Sequence, residues 1–179
     1  KLVSALEGDE GYSLLNEYAD LVALGTVADI VPLNGENRTL VKAGVNLMSY
    51  QSKKRTLRLG IKILAERAGI KERQPISAGD AAYKLAPRIN AAGRMGSAQR
   101  ALNLLLTDDE REACRLAEEI NSENSMRRRI EEEMTREAFA KIRKNPKNEC
   151  ARVIVVDGEG WHRGVIGIVA SRIVEKYGK

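Results

Sequence analysis

Leu57, Ile61, Leu64, Ala65 and Ala68 recur at three- and four-residue intervals, which predicts an amphipathic helix over residues 57 to 68 that Gly69 stops. Two helical or mixed segments precede it, at residues 13 to 24 and 37 to 48. They are joined by "DIVPLNGEN", where Pro32 and the Asn34-Gly35 pair mark a turn. After Gly69, "SAGDAAYKLA" reads as a short helix opened by a Ser77/Asp80 capping-box pattern and closed before Pro87. "PRINAAGRMG" is then rich in turn formers, and "SAQRALNLLL" resumes as a helix. Thr107 and Glu110 form a second capping-box pattern, beyond which no Gly or Pro interrupts the chain until Asn145-Pro146.

Over that stretch Ala113, Leu116, Ala117 and Ile120, then Ile130, Met134, Ala138 and Ile142, form a narrow stripe that Asn124 and Arg127 interrupt. One helix of about 35 residues, roughly 50 Å long, is predicted, too long for one compact unit and suited to bridging two bodies. Past it the period changes. "RVIVVDG" has the β-branched run of a buried strand, "EGWHRG" reads as a loop, and "VIGIVASRIVEKYG" has one apolar helical face. This is the strand, loop and helix that open an α/β unit.

A chain of 179 residues with 43% hydrophobic residues can bury one large core or two small ones. Aromatic residues make up only 4%, so platforms for stacking bases have few residues to draw on. Cys114 and Cys150 lack metal-ligand or disulfide-framework spacing, which points to a reducing, cytoplasmic setting, and neither a membrane span nor a leader is visible. The chain opens on Lys1 and stops at Lys179 just after a helical pattern, and is expected to be an excerpt of a longer protein.

The net charge of +5 is unevenly spread. Residues 1 to 37 set Lys1 against seven acids, whereas residues 38 to 100 set fourteen Lys and Arg against Glu66, Glu72 and Asp80. A basic middle third suits a polyanion, whose counterions are released on binding; a solvated face has the same composition.

Asp29 is a lone carboxylate in an otherwise apolar or small run from Leu21 to Leu33. Such a group must reach water, cap a backbone end or meet a divalent cation; Asp20 is a weak companion for the last role. In "PRINAAGR", Arg88, Asn90 and Arg94 alternate with small residues that let a phosphate approach, and arginine suits bidentate phosphate contact. His162 is the only histidine and, with Arg163 and Gly164, lies at a predicted helix N-terminus, where backbone N–H groups favour an anion. A packed loop histidine fits the same pattern. Arg127, Arg128 and Arg129 precede Glu131 to Glu133 at pairing distance, which reads as a solvated helix face.

"DLVALGTVADIVPLNGENRTLVKAG", "LAPRINAAGRM", "NSENSMRRRIEEEM" and "WHRGVIGIVASRI" occur in an order that resembles the RecJ exonucleases of the DHH phosphoesterase superfamily, from Asp20 to Tyr177. The resemblance implies an α/β, predominantly helical chain: the C-terminal part of a DHH domain at 1–106, a connecting helix at 107–145 and the start of a DHHA1 domain at 146–179. It implies a 5′ to 3′ exonuclease of DNA repair and recombination, acting on single-stranded DNA with two Mn²⁺ or Mg²⁺ ions. A single-strand-binding protein or helicase is the expected protein partner. By the same resemblance Asp29 is a metal ligand, Arg88, Asn90 and Arg94 contact the DNA backbone, and His162 and Arg163 grip DNA or the scissile phosphate. The family's other ligand motifs do not occur here, so this chain alone is expected to lack nuclease activity and a tight metal site. Other DHH phosphodiesterases, of nano-RNase or cyclic-dinucleotide type, and a non-catalytic nucleic-acid-binding module are the alternatives.

Overall fold

A computed structural model describes residues 10–54, 56–144 and 151–178, with side chains from Glu17 onward. In chain order α1 is Glu10–Ala28, α2 Gly35–Lys54 and α3 Leu59–Arg67. α4 begins as Ala78–Asp80, widens into a π-helical stretch at Ala81–Leu85 and continues as Ala86–Met95. α5 is Gln99–Leu106, α6 Glu110–Lys144 and α7 Arg163–Tyr177.

The apolar stripe of α6 is buried in two lengths, and each length is the spine of a core. Ala113, Leu116, Ala117 and Ile120 join Leu24, Met48, Ile61, Leu64, Leu85 and Leu104 in one cluster drawn from α1 to α5. Met134, Ala138 and Ile142 join Val165, Val169 and Ile173 of α7 in the other. Each fully buried aliphatic side chain stabilises its cluster by roughly 1.5–3 kcal/mol. α1 and α2 pack closely because Gly44 lacks a side chain: a Cβ there would strike the carbonyl oxygen of Ala19 and the methyl of Ala23.

Four expectations change. The first is the stop at Pro87: "PRINAAGRM" is not a turn-rich connection, because α4 passes through Pro87 to Met95. A proline in an α-helix clashes with the carbonyl four residues back. Here the helix widens just ahead of the ring, and the Ala86 N–H bonds Ala81 O five residues back instead of four. The second is the cap of α6: the Asp109 carboxylate accepts from the N–H groups of Arg111 and Glu112 at 2.8 and 3.1 Å, so Asp109, not Thr107, caps the helix.

The third is the strand at "RVIVVDG": residues 151–158 form no strand, and the α/β part of the expected fold class is not seen among the described residues. Period-two burial survives, since Ile154 and Val156 pack on the second core while Val153 and Val155 are 71% and 82% exposed. A ladder needs a second strand, and none pairs with this segment among the described residues. The fourth is Asp20 as a companion of Asp29. It is fully buried, and its carboxylate accepts from Arg58 Nε at 3.0 Å and from the Leu21 N–H at 2.8 Å. Arg58 also donates to Glu17 O and lies over the Tyr18 ring, which ties α1 to the connection before α3. The expected helix stop at Asn145-Pro146 and Cys150 lie outside the described residues.

Candidate metal and nucleic-acid site

α1 ends in a Schellman-type turn: the Ile30 N–H bonds Val27 O at 3.2 Å and the Val31 N–H bonds Thr26 O at 3.3 Å. The left-handed position, usually glycine, is held by Ile30 with φ 54°, a costly conformation for a β-branched residue. Asp29 sits one residue before it, exposed, and its carboxylate makes no hydrogen bond or ion pair among the described residues. Of the three roles open to it, backbone capping is thereby removed. The carbonyl end of a helix carries partial negative charge, so a carboxylate placed there raises the local attraction for a cation.

Two contacts bring the other candidates to this turn. Asn90 Nδ2 donates to Ala28 O at 2.7 Å, fixing α4 to the residue before Asp29. Arg94 Nη1 donates to Gly164 O at 3.1 Å, fixing the end of α4 to the first turn of α7. Gly164 permits that approach, since a Cβ there would collide with the Arg94 carbonyl oxygen. His162 caps α7, its Nδ1 accepting from the Gly164 N–H at 3.1 Å, so the ring nitrogen left for a ligand is Nε2. Arg163 is exposed beside it. The loop before His162 is pinned to α6: Trp161 Nε1 donates to Glu137 at 2.9 Å, and Lys141 Nζ donates to Asp157 O at 2.8 Å. Arg88 is turned toward α6, donating to Asn121 Oδ1 at 3.0 Å and to Lys84 O at 2.7 Å.

A cleft of about 230 Å³ opens between Ala28 and Ile30 on one side, Pro87, Asn90 and Arg94 on another, and Arg127 and Ile168 beyond. Through Pro87, Arg127 and Ile168 it runs into a larger cleft of about 900 Å³ between α4, α6 and α7. Five arginines, at 127, 128, 136, 143 and 172, and two glutamates, at 131 and 132, line this larger space.

Arg127 is the functional candidate that sequence reasoning missed. Its side chain is 12% exposed, bonded to Glu131 at 2.6 Å and to the buried Asn124 at 3.2 Å, with Nε buried and unpartnered. Burial lowers its pKa, with Arg128 and Arg94 pushing the same way and Glu131 opposing them. Arg88 is lowered by burial and by Arg128. Arg127 thus feels the charge of Arg94 and Arg128, and Arg88 that of Arg128, and an anion beside them would relieve that repulsion. The interruption of the apolar stripe at Asn124 and Arg127 was the available signal.

A metal is less well provided for. No group of three or more His, Cys, Asp or Glu among the described residues is arranged to hold one, so Asp29 and its neighbours do not form a metal centre by themselves. No helix among the described residues is long and apolar enough to cross a membrane.

No protein-family model matches the chain. It is 45% identical over 159 residues to the single-stranded-DNA-specific exonuclease RecJ of Thermus thermophilus, covering 89% of this chain and 22% of that protein. The crystal structure of Thermus thermophilus RecJ in complex with Mg²⁺ superposes with a TM-score of 0.75 at 41% identity, covering 92% of this chain and 24% of that one. A crystal structure of exonuclease RecJ bound to manganese gives 0.76 at 42% identity, covering 92% and 39%. The chain thus spans between about a fifth and two-fifths of the length of the proteins it matches. With identity at this level along nearly all of its residues, on a matching fold, the chain belongs to the RecJ family.

Proposed function

We propose that this chain forms part of a metal-dependent exonuclease that hydrolyses single-stranded DNA from its 5′ end in repair and recombination. The observation that carries the reading is the placement of Asp29, an unpaired carboxylate at the negative end of α1, beside a cleft walled by arginines. Phosphodiester cleavage needs both features: cations to stabilise charge on the reacting phosphate, and fixed positive groups to hold the rest of the strand.

In this reading Asp29 is one ligand of a pair of Mg²⁺ or Mn²⁺ ions, the metals held by the solved relatives. The remaining ligands come from parts of the enzyme other than this chain, since among the described residues Asp29 is the single free carboxylate at the site. When bound, such ions activate water and stabilise the transferring phosphoryl group. This chain's own contribution is to bind and align DNA. Arg94 has donors left after its bond to Gly164 O, Arg127 and Arg128 face the cleft, and Asn90 holds the Asp29 turn in register with α4. His162 Nε2 and the Arg163 guanidinium lie at the N-terminus of α7, where an anion is favoured.

In this reading the DHH part spans 1–106, the connecting helix 107–145 and the DHHA1 part 146–179, a division that the presence of two separate cores supports. The enzyme acts in the cytoplasm, handed its strand by a helicase or a single-strand-binding protein, and this chain alone is inactive. Asp29→Ala in the enzyme that contains this chain tests the reading. Degradation of a 5′-labelled oligonucleotide falls by at least a thousandfold while affinity for that oligonucleotide stays within about threefold. Wild-type rates in the variant would remove Asp29 from the metal site.

A further inference from the structure

Tyr83 is 79% exposed, more than Tyr50 at 61% or Tyr18 at 39%. It occupies the middle of the π-helical stretch of α4, whose flanking residues Ala81 and Leu85 are both buried. π-Helical turns are rare and concentrate at functional sites, because the extra residue re-aims the side chains around it. Here the widened turn sets Tyr83 on the wall of the larger cleft, opposite the arginines of α6. Lys84, the next residue, is drawn away to Asp80 at 2.7 Å, and Pro87, one turn on, lines the cleft beside Tyr83. The α4 wall is thus an apolar, aromatic step, while the α6 wall sets Arg127, Arg128, Arg136 and Arg143 against Glu131 and Glu132. Arg128, Arg136 and Arg143 recur about every two turns and have no ion-pair partner among the described residues.

We propose that Tyr83 is a stacking platform for an unpaired base of a single strand whose phosphates lie along Arg128, Arg136 and Arg143. The proposal rests on the single-stranded-DNA reading above and adds to it a residue that selects for unpaired bases. An aromatic face beside a row of positive charges is the combination by which single strands are held without regard to sequence, because every base has a π-face. The paired and stacked bases of a duplex offer no free face to the ring. The continuity of this cleft with the one beside Asp29 places the stacked base along the path of the strand that reaches the carboxylate.

The experiment measures fluorescence anisotropy of three labelled probes with the enzyme that contains this chain, without added divalent metal: oligothymidylate, the same strand with abasic residues in place of thymidine, and a blunt duplex. Tyr83→Ala weakens binding of oligothymidylate on the order of tenfold and leaves the abasic strand and the duplex within about twofold. Tyr83→Trp restores the oligothymidylate affinity. Equal losses on all three probes, or no loss on any, overturn the stacking role. The paired charge reversals Arg136→Glu and Arg143→Glu weaken all three probes together. If they change none, the cleft is not the strand's path and the proposal fails; if the unsubstituted enzyme binds neither single strand, the underlying single-stranded-DNA reading fails as well. Circular dichroism confirms that each variant is folded, which the exposure of Tyr83 favours.

Discussion

Along the first half of α6, Leu116, Ala117 and Ile120 lie against α3, α4 and α5, and each is 2% exposed or less. Along the second half, Met134, Ala138 and Ile142 are covered by α7 and by Ile154, Val156 and Trp161. The first body closes around its core. The second is one layer deep, and its outer side shows water Val153, Val155, Ile166 and Val174. The difference teaches that the two bodies hold the site in different ways. The first buries α1 only as far as Ala23 and Leu24 and holds the exposed Asp29 turn beyond them by the Asn90 bond to Ala28 O, whereas the second fixes His162 by polar ties, through Glu137, Trp161 and the Gly164 contact.

The largest effect should come from hollowing the deeper core. Leu116→Ala removes a side chain that is 2% exposed and costs about 3 kcal/mol, seen as a lower thermal midpoint and faster hydrogen exchange throughout α1 to α5. If α7 loosened as much as α1, the two bodies would be a single cooperative unit and the contrast would be wrong.

A smaller effect is expected from the seam between them. Gly164→Ala drives a methyl into the Arg94 carbonyl and costs about 1–3 kcal/mol. Exchange should quicken in the first turn of α7 and at the end of α4 while α1 to α3 keep their protection. Unchanged exchange at α7 would mean that the Arg94 contact does not hold it.

The smallest effect is a matter of pH and belongs to the first body. Hydrogen bonds from Lys84 and Ser77 hold the Asp80 carboxyl at about 2 instead of its ordinary 3.8. A carboxyl depressed in the folded state adds stability that is complete above the unfolded value and is lost as pH falls through about 2. Asp80→Asn should therefore cost about 1 kcal/mol at neutral pH, the worth of a helix cap, and nothing below pH 2. Denaturant titrations of both forms at pH 7, 4 and 2 check this. A difference as large at pH 2 as at pH 7 would assign the loss to something other than the charge.

Elements governed by local chemistry were legible in the sequence. The Ser77/Asp80 capping box, the break between α1 and α2 around Pro32 and the 35-residue helix are set by neighbours within a few positions, and all three form, although the turn itself falls at Asp29–Ile30. What misled were residues whose state depends on distant partners. Pro87 is a helix breaker by itself, and only the widened turn lets α4 continue through it. "RVIVVDG" has the composition of a strand, but strand structure also requires a partner in register. Arg127 and Asp20 look like surface charges until Asn124 and Arg58 are seen to meet them. Family resemblance, rather than pattern, singled out Asp29 as a metal ligand, because one carboxylate carries no spacing.

The unbroken course of α6 has a consequence for how such a molecule can change by insertion or deletion. Both cores are built on one helix of 35 residues, so its length fixes their separation and its twist fixes their mutual bearing. One residue added between Ile120 and Ile130 would swing α7 by about 100° around the α6 axis and carry it away from Arg94. Seven added residues would bring it back to within about 20° but about 10.5 Å farther along. Spacing and orientation cannot be adjusted independently on such a shaft, so an insertion or deletion that keeps both cores in register has to fall in the loops.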